Sequence, residues 1–373
     1  MEDIALEVLN KIFDYGYEAY IVGGFVRDKL LGIESSDVDI TTNATPMELK
    51  NIFPDINVDK ESYGSVTLYY KNNRFEVTTY REDLEYVDNR HPSKITYVND
   101  LKTDLLRRDF TINTICIDKE GNIVDLLGGK KDLEKHIVRS ILDANKSFRD
   151  DSLRILRAIR FAALLNCHLE QDVVNAINEN KHLLKNLSYT RKRRELDKIF
   201  GSTEAENGIN LIESFELENY LELDFSRVNN YSDLVGIWAM INNPNYCINS
   251  SEKDLIEKTN IVYKLDNLDS HVLYKYGLYV NILAGINKGL KKTDIIAHYD
   301  ELPIKDKSEI NITASEICKL LNIEPGKIIG EIIIDLEEKI IDKKLDNDKD
   351  KIKKYIKNKY KNKEVLWEYL KIY

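Results

Sequence analysis

The sequence contains no apolar run approaching the roughly 20 residues that a membrane-spanning helix requires. Its N-terminus, MEDIALEVLNKIF, carries acidic residues where a secretory signal peptide would carry a basic start. The four cysteines lie far apart without a CxxC pair, and the six histidines show no ligand spacing. These absences argue against a disulfide framework and a zinc site, and they predict a cytoplasmic protein with no membrane segment.

The chain also lacks an excess of positive charge. It has 54 Lys and Arg against 64 Asp and Glu, a net charge of −10, which argues against a basic surface for non-specific nucleic-acid binding. Two local basic runs remain, residues 181–198 and 349–363, and either could contact phosphates. A solvated helix face is the commoner meaning of an isolated charge run, and this alternative stays open for both.

A chain of 373 residues with a hydrophobic fraction of 43% is long enough for two or more domains. Mixed helix and strand patterns extend to about Gly129, and nearly strand-free helical periodicity follows from about Ile137. The patterns predict helices at 1–15, 25–31, 46–53, 103–113 and 150–165, strands at 17–22, 35–42 and 94–98, a hairpin at 65–80, and a mobile loop at 81–92. The predicted architecture is an α/β head followed by a long helical arm.

The chain is organised around the stretch from Tyr20 to Thr42. Within it, Asp37 and Asp39 lie in a predicted strand, where alternate side chains share a face. Two carboxylates that close together repel each other unless a cation lies between them, and hard oxygen ligands suit Mg²⁺. The pair is therefore a candidate metal site and the candidate catalytic centre.

Two glycines precede a predicted helix in the same stretch. Gly23 and Gly24 leave no side chain to obstruct a triphosphate, and backbone N–H groups at a helix start face an anion. Arg27, one turn into the helix, adds a bidentate phosphate donor. Glycines, arginine and a DxD pair in this order indicate nucleotidyl transfer, in which a metal bridges a triphosphate to an attacking hydroxyl.

The run GGFVRDKLLGIESSDVDI resembles the signature of the class II tRNA nucleotidyltransferase and poly(A) polymerase family, in the DNA polymerase β superfamily. RRDFTIN at 107–113 resembles the family motif that positions the nucleotide sugar, which implies a nucleotide-binding role for Arg108. DDSLRILR at 150–157 resembles the family's amino-acid template for the incoming base. The chain departs from the family at Asp150, where Glu is usual, at Thr114, where Ala is usual, and at Thr190, which precedes Arg191 in place of Glu.

The resemblance implies a fold and a set of domains. The fold is an α+β (mixed) N-terminal nucleotidyltransferase head of the DNA polymerase β superfamily, followed by an all-α neck, body and tail. The expected divisions are a palm-like catalytic head at 1–138, a base-selecting neck at 139–205, a body at 206–310 and a tRNA-contacting tail at 311–373. Members that add only C residues are implied to lack part of the loop at 81–92, which is full length here.

The template motif also has a physical basis. Positions three apart on a helix differ by about 60° around its axis, so a stripe forms from Asp151, Arg154, Arg157 and Arg160. A carboxylate only accepts hydrogen bonds and a guanidinium only donates them, so an Asp151–Arg154 pair complements the edge of cytosine or adenine and repels uracil and guanine. The alternative is a salt bridge on a helix surface, which contributes little.

A third carboxylate is less firmly indicated. Glu76 lies on a predicted strand between apolar Phe75 and Val77. It could complete the metal site as the base for the primer hydroxyl, and a solvated strand acid is the alternative. We take the catalytic assignment as a hypothesis.

The sequence therefore predicts Mg²⁺-dependent, template-independent addition of C, C and A to the 3′ end of tRNA from CTP and ATP. The expected partner is tRNA, contacted at its acceptor end and elbow, and the oligomeric state stays open. One alternative is a poly(A) polymerase or an enzyme that adds only part of CCA. Another is a non-catalytic RNA-binding or nucleotide-sensing protein, which would not need both aspartates.

Overall fold

The computed structural model describes residues 1–56, 64–86, 92–247 and 249–360. It divides into two compact units, one spanning Met1–Leu223 and the other beginning at Asp224. Among the described residues, none of the helices combines the length and the apolar character needed to cross a membrane.

A six-stranded sheet forms the head of the first unit. Its strands are β1 (Ala19–Val22), β2 (Val38–Thr42), β3 (Ser65–Tyr70), β4 (Asn73–Thr79), β7 (Cys116–Ile117) and β8 (Ile123–Val124), in the spatial order β3-β4-β2-β1-β7-β8. β1 pairs with β2 in antiparallel fashion, whereas β2 and β4 are parallel. This register sets Asp39 directly opposite Glu76. The predicted strand at 35–42 is three residues too long at its start, so Asp39 lies in β2 whereas Asp37 precedes it.

Five helices accompany this sheet: α1 (Glu2–Asp14), α2 (Gly24–Leu30), α3 (Pro46–Ile52), α4 (Leu101–Leu106) and α5 (Gly129–Glu134). α1 buries Ala5, Val8, Leu9 and Ile12, the spacing of an amphipathic helix. α3 starts with a capping box in which Thr45 and Glu48 satisfy each other's backbone N–H groups, with Pro46 at the first helical position. The first three predicted helices are confirmed to within two residues.

The rest of the first unit is helical. It contains α6 (Ala144–Asp150), α7 (Leu153–Leu164), α8 (Gln171–Asn180), α9 (Tyr189–Phe200), α10 (Ala205–Ser214) and α11 (Glu218–Leu221). α7 buries an apolar face that includes Ile155, Ile159 and Ala162. α10 crosses α9 closely at Gly208, where an added Cβ would lie 2.1 Å from a side-chain carbon of Ile199.

The second unit is helical throughout its described part. Its helices are α12 (Leu234–Ile241), α13 (Ser250–Lys264), α14 (Ser270–Asn287), α15 (Lys292–Asp300), α16 (Ala314–Leu321), α17 (Lys327–Ile341) and α18 (Lys349–Tyr360). α16, α17 and α18 bury an isoleucine-rich core. Trp238 is buried and stacks on Tyr246, with ring centroids 5.0 Å apart.

The loop predicted at 81–92 is wrong in its described part. Arg81–Tyr86 forms β5 and Pro92–Tyr97 forms β6, which pair antiparallel in a sheet of their own; residues 87–91 lie outside the description. The charged sequence REDLEY obscured the strand. A two-stranded hairpin with exposed positions such as Glu82 tolerates charged side chains, because backbone pairing holds it.

Two predicted helices were too long. The helix predicted at 103–113 spans Leu101–Leu106, and Thr111–Asn113 is a separate 3₁₀ turn. Phe110, between them, is extended, with φ −131° and ψ 149°, and its N–H is held by the Asp109 side chain at 2.8 Å. A local side-chain acceptor of this kind competes with the helix for backbone donors.

The helix predicted at 150–165 is interrupted. α6 ends at Asp150, Asp151 is extended with φ −141° and ψ 98°, and α7 starts at Leu153. Asp151 Oδ1 accepts the Leu153 N–H at 3.1 Å, so its side chain replaces a helical hydrogen bond. The region after 137 also contains two short strands, β9 (Ile137–Val138) and β10 (His168–Leu169), which pair in parallel.

Candidate active site

One cavity of about 400 Å³ in the first unit collects most of the predicted site residues. It is lined by Gly24, Arg27, Asp37, Asp39, Arg108, Asp109, Asn113, Asp151, Arg154, Arg157, Arg160 and Phe161. The glycine and DxD motifs, the RRDFTIN motif and the template motif thus meet at one place. Of the predicted residues, Gly23 and Glu76 do not line it.

Gly23 lies next to two residues that line the cavity. Its φ of 84° lies in the region that favours glycine. A Cβ built there would lie 3.5 Å from Arg108 Nη1 and 3.9 Å from Asp39 Oδ2. The glycine therefore allows the β1–α2 turn to lie against both side chains.

Arg27 is buried and firmly held by the protein. Its Nη1 donates to Asn113 Oδ1 at 2.7 Å, while Nε and Nη2 donate to Asp28 Oδ1 at 2.9 and 2.6 Å. One N–H on each terminal nitrogen is left by these three bonds. Arg27 thus lies where the sequence predicts a phosphate donor, with its orientation fixed in advance.

The negative charge of Asp39 is only partly compensated by neighbouring cations. Burial, followed by the charges of Glu76 and Asp37, raises the pKa of Asp39 to about 6, although Arg108 and Arg157 oppose the shift. Asp37 and Glu76 are exposed. In the described ranges, no three His, Cys, Asp or Glu side chains are gathered closely enough to be recognised as a metal site.

The donor set nevertheless fits a hard cation. All of its groups are carboxylate oxygens, which Mg²⁺ prefers, and the raised pKa of Asp39 shows that the site disfavours its own negative charge. A nearby cation would reverse that effect. Asp37 and Asp39 are the residues that would hold it, with Glu76 across the β2–β4 pair.

Arg108 presents an unused donor. Its Nε is buried and has no hydrogen-bond partner among the described residues. Its guanidinium lies 3.6 Å from Asp104, a fully buried carboxylate on α4 that also accepts from Thr41 Oγ1 at 3.0 Å and from the Arg81 N–H at 3.2 Å. Asp104 thus positions the guanidinium of Arg108, which lines the cavity.

Arg157 binds Asp109, and both residues line the cavity. Its Nε and Nη2 lie 2.6 and 2.5 Å from Asp109 Oδ2, and Oδ1 accepts from Asn113 Nδ2 at 3.0 Å. Burial opposes ionisation of Asp109, but the charge of Arg157 and the Asn113 hydrogen bond outweigh it and hold the pKa of Asp109 well below its usual range. Because Asn113 also accepts a hydrogen bond from Arg27, one hydrogen-bond network joins Arg27 to Asp109 and Arg157.

The predicted placement of Asp151 and Arg154 on one helix is wrong. Asp151 lies in the break between α6 and α7, and its Oδ1 accepts from Arg191 Nη2 on α9 at 3.0 Å. Arg154 donates instead to Ser147 Oγ at 2.6 Å and to the Arg107 carbonyl at 2.7 Å. Both side chains still line the cavity.

Three guanidinium groups surround the ring of Phe161. The carbons of Arg27, Arg157 and Arg160 lie 5.0, 5.4 and 4.3 Å from its centroid. Such contacts are favourable because the ring face is electron-rich. Arg160 is also held by Glu195 on α9, with Nε and Oε2 2.7 Å apart.

Sequence reasoning missed several residues that shape the cavity. Asp109, Asn113 and Phe161 line it directly, and Asp109 and Asn113 lie in the quoted RRDFTIN segment, so a signal was available for them. Arg191 and Glu195 reach the site residues from α9. Nothing in the local pattern of α9 indicates those partners, which depend on how helices pack.

Three family models match the chain. One described as the Poly A polymerase head domain matches residues 19–139, one described as the probable RNA and SrmB-binding site of polymerase A matches 166–225, and one described as a putative tRNA nucleotidyltransferase domain 2 matches 250–356. A polymerase-type head with paired aspartates facing an arginine-lined cavity defines the protein class as a nucleotidyltransferase.

Relatives that match over about nine-tenths of both chains define the family within this class of enzymes. The CCA-adding enzyme of Lactococcus lactis subsp. cremoris is 33% identical over 367 residues, covering 90% of this chain and 91% of that protein. The CCA-adding enzyme of Staphylococcus haemolyticus is 34% identical, covering 90% and 93%. The chain belongs to the family of CCA-adding enzymes.

Solved structures agree with this placement. The Bacillus stearothermophilus CCA-adding enzyme in complex with CTP matches with a TM-score of 0.79 at 25% identity, covering 97% of this chain and 98% of that one. The Thermotoga maritima CCA-adding enzyme complexed with tRNA matches with a TM-score of 0.70 at 20% identity, covering 95% and 94%, and shows the shared fold.

Proposed function

We propose that this chain adds C, C and A to the 3′ end of tRNA, using CTP and ATP as substrates. The observation that carries the proposal is the cavity itself, in which Asp37 and Asp39 face the template residues Asp151 and Arg154. Membership of the CCA-adding family supports it. Relatives in complex with CTP and with tRNA support the same substrates.

The proposed chemistry uses Mg²⁺ at Asp37 and Asp39. When bound there, Mg²⁺ neutralises phosphate charge and favours the attacking form of the primer hydroxyl. The guanidinium of Arg108, which lines the cavity, binds the triphosphate or sugar together with the remaining N–H groups of Arg27. Glu76, opposite Asp39 on β4, is proposed to accept the proton of the primer hydroxyl.

Base selection is proposed to rest on Asp151 and Arg154. Asp151 Oδ2 accepts the exocyclic amino group of cytosine or adenine, and Arg154 donates to the ring nitrogen. Arg154 keeps three N–H groups beyond its bonds to Ser147 and to the Arg107 carbonyl, and we assign the contact with the base to these. Arg157 and Arg160 support the pair from the next turns of α7.

The proposed division of labour keeps a catalytic head at 1–138, a base-selecting neck at 139–205, a body at 206–310 and a tail at 311–373. The cations of the run at 181–198 are largely occupied within the protein, as by Glu216 for Lys181 and Asp151 for Arg191. The tail run keeps exposed lysines such as Lys354 and Lys357, and we assign the contact with the tRNA elbow to it. A tRNA substrate implies a cytoplasmic location.

The decisive experiment gives the purified protein tRNA transcripts that end before CCA, before CA and before A, with each labelled nucleotide singly. We expect C, C and A respectively, with UTP and GTP rejected. Long A tails on generic RNA would favour a poly(A) polymerase, and failure on one of the three transcripts would favour a partial enzyme. RNA binding that needs Asp37 without any incorporation by the wild type would favour a sensor.

A further inference from the structure

We infer that Arg191, on α9, determines base specificity by positioning Asp151; this inference rests on the proposed function. The Arg191 Nη2 lies 3.0 Å from Asp151 Oδ1, and the same oxygen accepts the Leu153 N–H at 3.1 Å. Oδ2 accepts no hydrogen bond from any residue that the structure describes. One carboxylate oxygen is thus anchored and the other is left for a ligand.

The anchor is needed because competing cations line the same cavity. Arg154 and Arg157 line the same cavity as Asp151. Burial opposes the shift, but the pKa of Arg157 is raised by the charges of Asp109, Glu195 and Asp151, in that order, so Asp151 lies within the electrostatic reach of Arg157. Asp151 is not held by a helix, because its backbone is extended between α6 and α7. Without Arg191, the carboxylate can turn to one of these arginines and satisfy itself, which removes the acceptor that the base needs.

The same face of α9 supports the other base-facing arginines. Glu195 lies four residues after Arg191, which places both side chains on one face of the helix. Its carboxylate accepts from Arg160 Nε at 2.7 Å and lies 4.0 Å from Arg157 Nη1. α9 therefore supplies Arg191, which holds the carboxylate of Asp151, and Glu195, which holds the guanidinium groups of the base-facing arginines.

The test measures kcat/KM for CTP and for the competitor UTP on a tRNA ending before CCA. Arg191→Ala is expected to lower the ratio of CTP to UTP by about tenfold, the scale of one base contact. Arg191→Lys, which keeps the charge but loses the planar fork, should recover part of the ratio. The matched control is Arg194→Ala, an exposed arginine on the same helix, which should leave the ratio unchanged.

A double-mutant cycle with Asp151→Asn separates positioning from direct contact. If Arg191 acts through Asp151, Arg191→Ala should change the ratio by less than about twofold once Asp151 is replaced. Equal effects in both backgrounds, or an unchanged ratio in the single variant, overturn the inference. A wild type that adds neither C nor A would instead overturn the proposed function, so the two failures are distinguishable. Matching thermal unfolding of all variants identifies any loss of fold.

Discussion

Two parts of the cavity lining, which we call the first wall (around Asp109) and the second wall (around Asp39), hold their carboxylates in opposite ways. Asp109 receives two donors from Arg157, one from Asn113 and one from the Phe110 backbone, and its pKa is held well below the usual range. Asp39 accepts no side-chain hydrogen bond from the described residues, and its pKa is raised to about 6. The first wall is complete without a ligand, whereas the second is arranged for a cation that the protein does not itself supply.

The largest effect is expected on turnover, from a substitution in the second wall. Asp39→Asn should lower kcat by about 10³-fold or more, because the site loses a charged metal ligand whose contribution to the transition state is several kcal/mol. The measurement is single-turnover addition of C to a tRNA ending before CCA at saturating CTP. Turnover within about tenfold of wild type would contradict the assignment of Asp39.

The corresponding substitution in the first wall should lower the stability of the fold. Asp109→Asn removes the nearer counter-charge of the Arg157 guanidinium and leaves only Glu195 at 4.0 Å, so we expect the protein to lose about 3 kcal/mol of stability. The check is the urea midpoint of unfolding at pH 7.5. Asp39→Asn is the control, and it should be as stable as wild type or more so, since it removes a carboxylate that the fold disfavours when ionised. Equal destabilisation by both variants would mean that the walls do not differ.

Glu76→Gln tests whether the second wall extends to β4. As the proposed base, Glu76 should contribute about 10²-fold to turnover, and its loss should also bring the pKa of Asp39 down, because the charge of Glu76 is one cause of the rise. Turnover is measured with saturating Mg²⁺. Wild-type turnover under that condition excludes Glu76 from catalysis.

The smallest expected effect is the pH dependence that the raised pKa of Asp39 gives to stability and to kcat/KM. A carboxyl group whose pKa is raised from 3.8 to about 6 binds a proton more tightly in the folded state, so the fold loses stability as pH rises between these values. Added Mg²⁺ favours the ionised form and should shift the acid limb of the kcat/KM profile to lower pH. Below the limb, activity should fall about tenfold per pH unit. An acid limb that does not move between low and high Mg²⁺ would contradict a metal site at Asp39.

The parts of the site that the sequence predicts are those that share a short segment. Gly23, Asp37 and Asp39 lie within 17 residues of one another, so strand and turn rules suffice to bring them together. The break at Asp151 was foreseeable in principle, because Asp and Ser in succession are typical of a helix start. The unbroken apolar periodicity of the helix that follows hid it.

Other features have no local signal. The contacts of Arg191 with Asp151 and of Glu195 with Arg160 join residues 40 and 35 positions apart, and they depend on the packing of α9 against its neighbours. The strand β5 was missed for a different reason. Its charged side chains resemble a loop, while the backbone pairing that defines it depends on β6.

The cavity wall carries five guanidinium groups and four carboxylates, a small positive excess in a chain whose net charge is −10. The cavity lining therefore attracts an approaching nucleotide at short range, whereas the net negative charge of the whole chain repels it at long range. At physiological ionic strength, charges farther away than about 8 Å are largely screened. A triphosphate is therefore not drawn in from a distance by the protein as a whole, and attraction starts only when it is already at the mouth of the cavity.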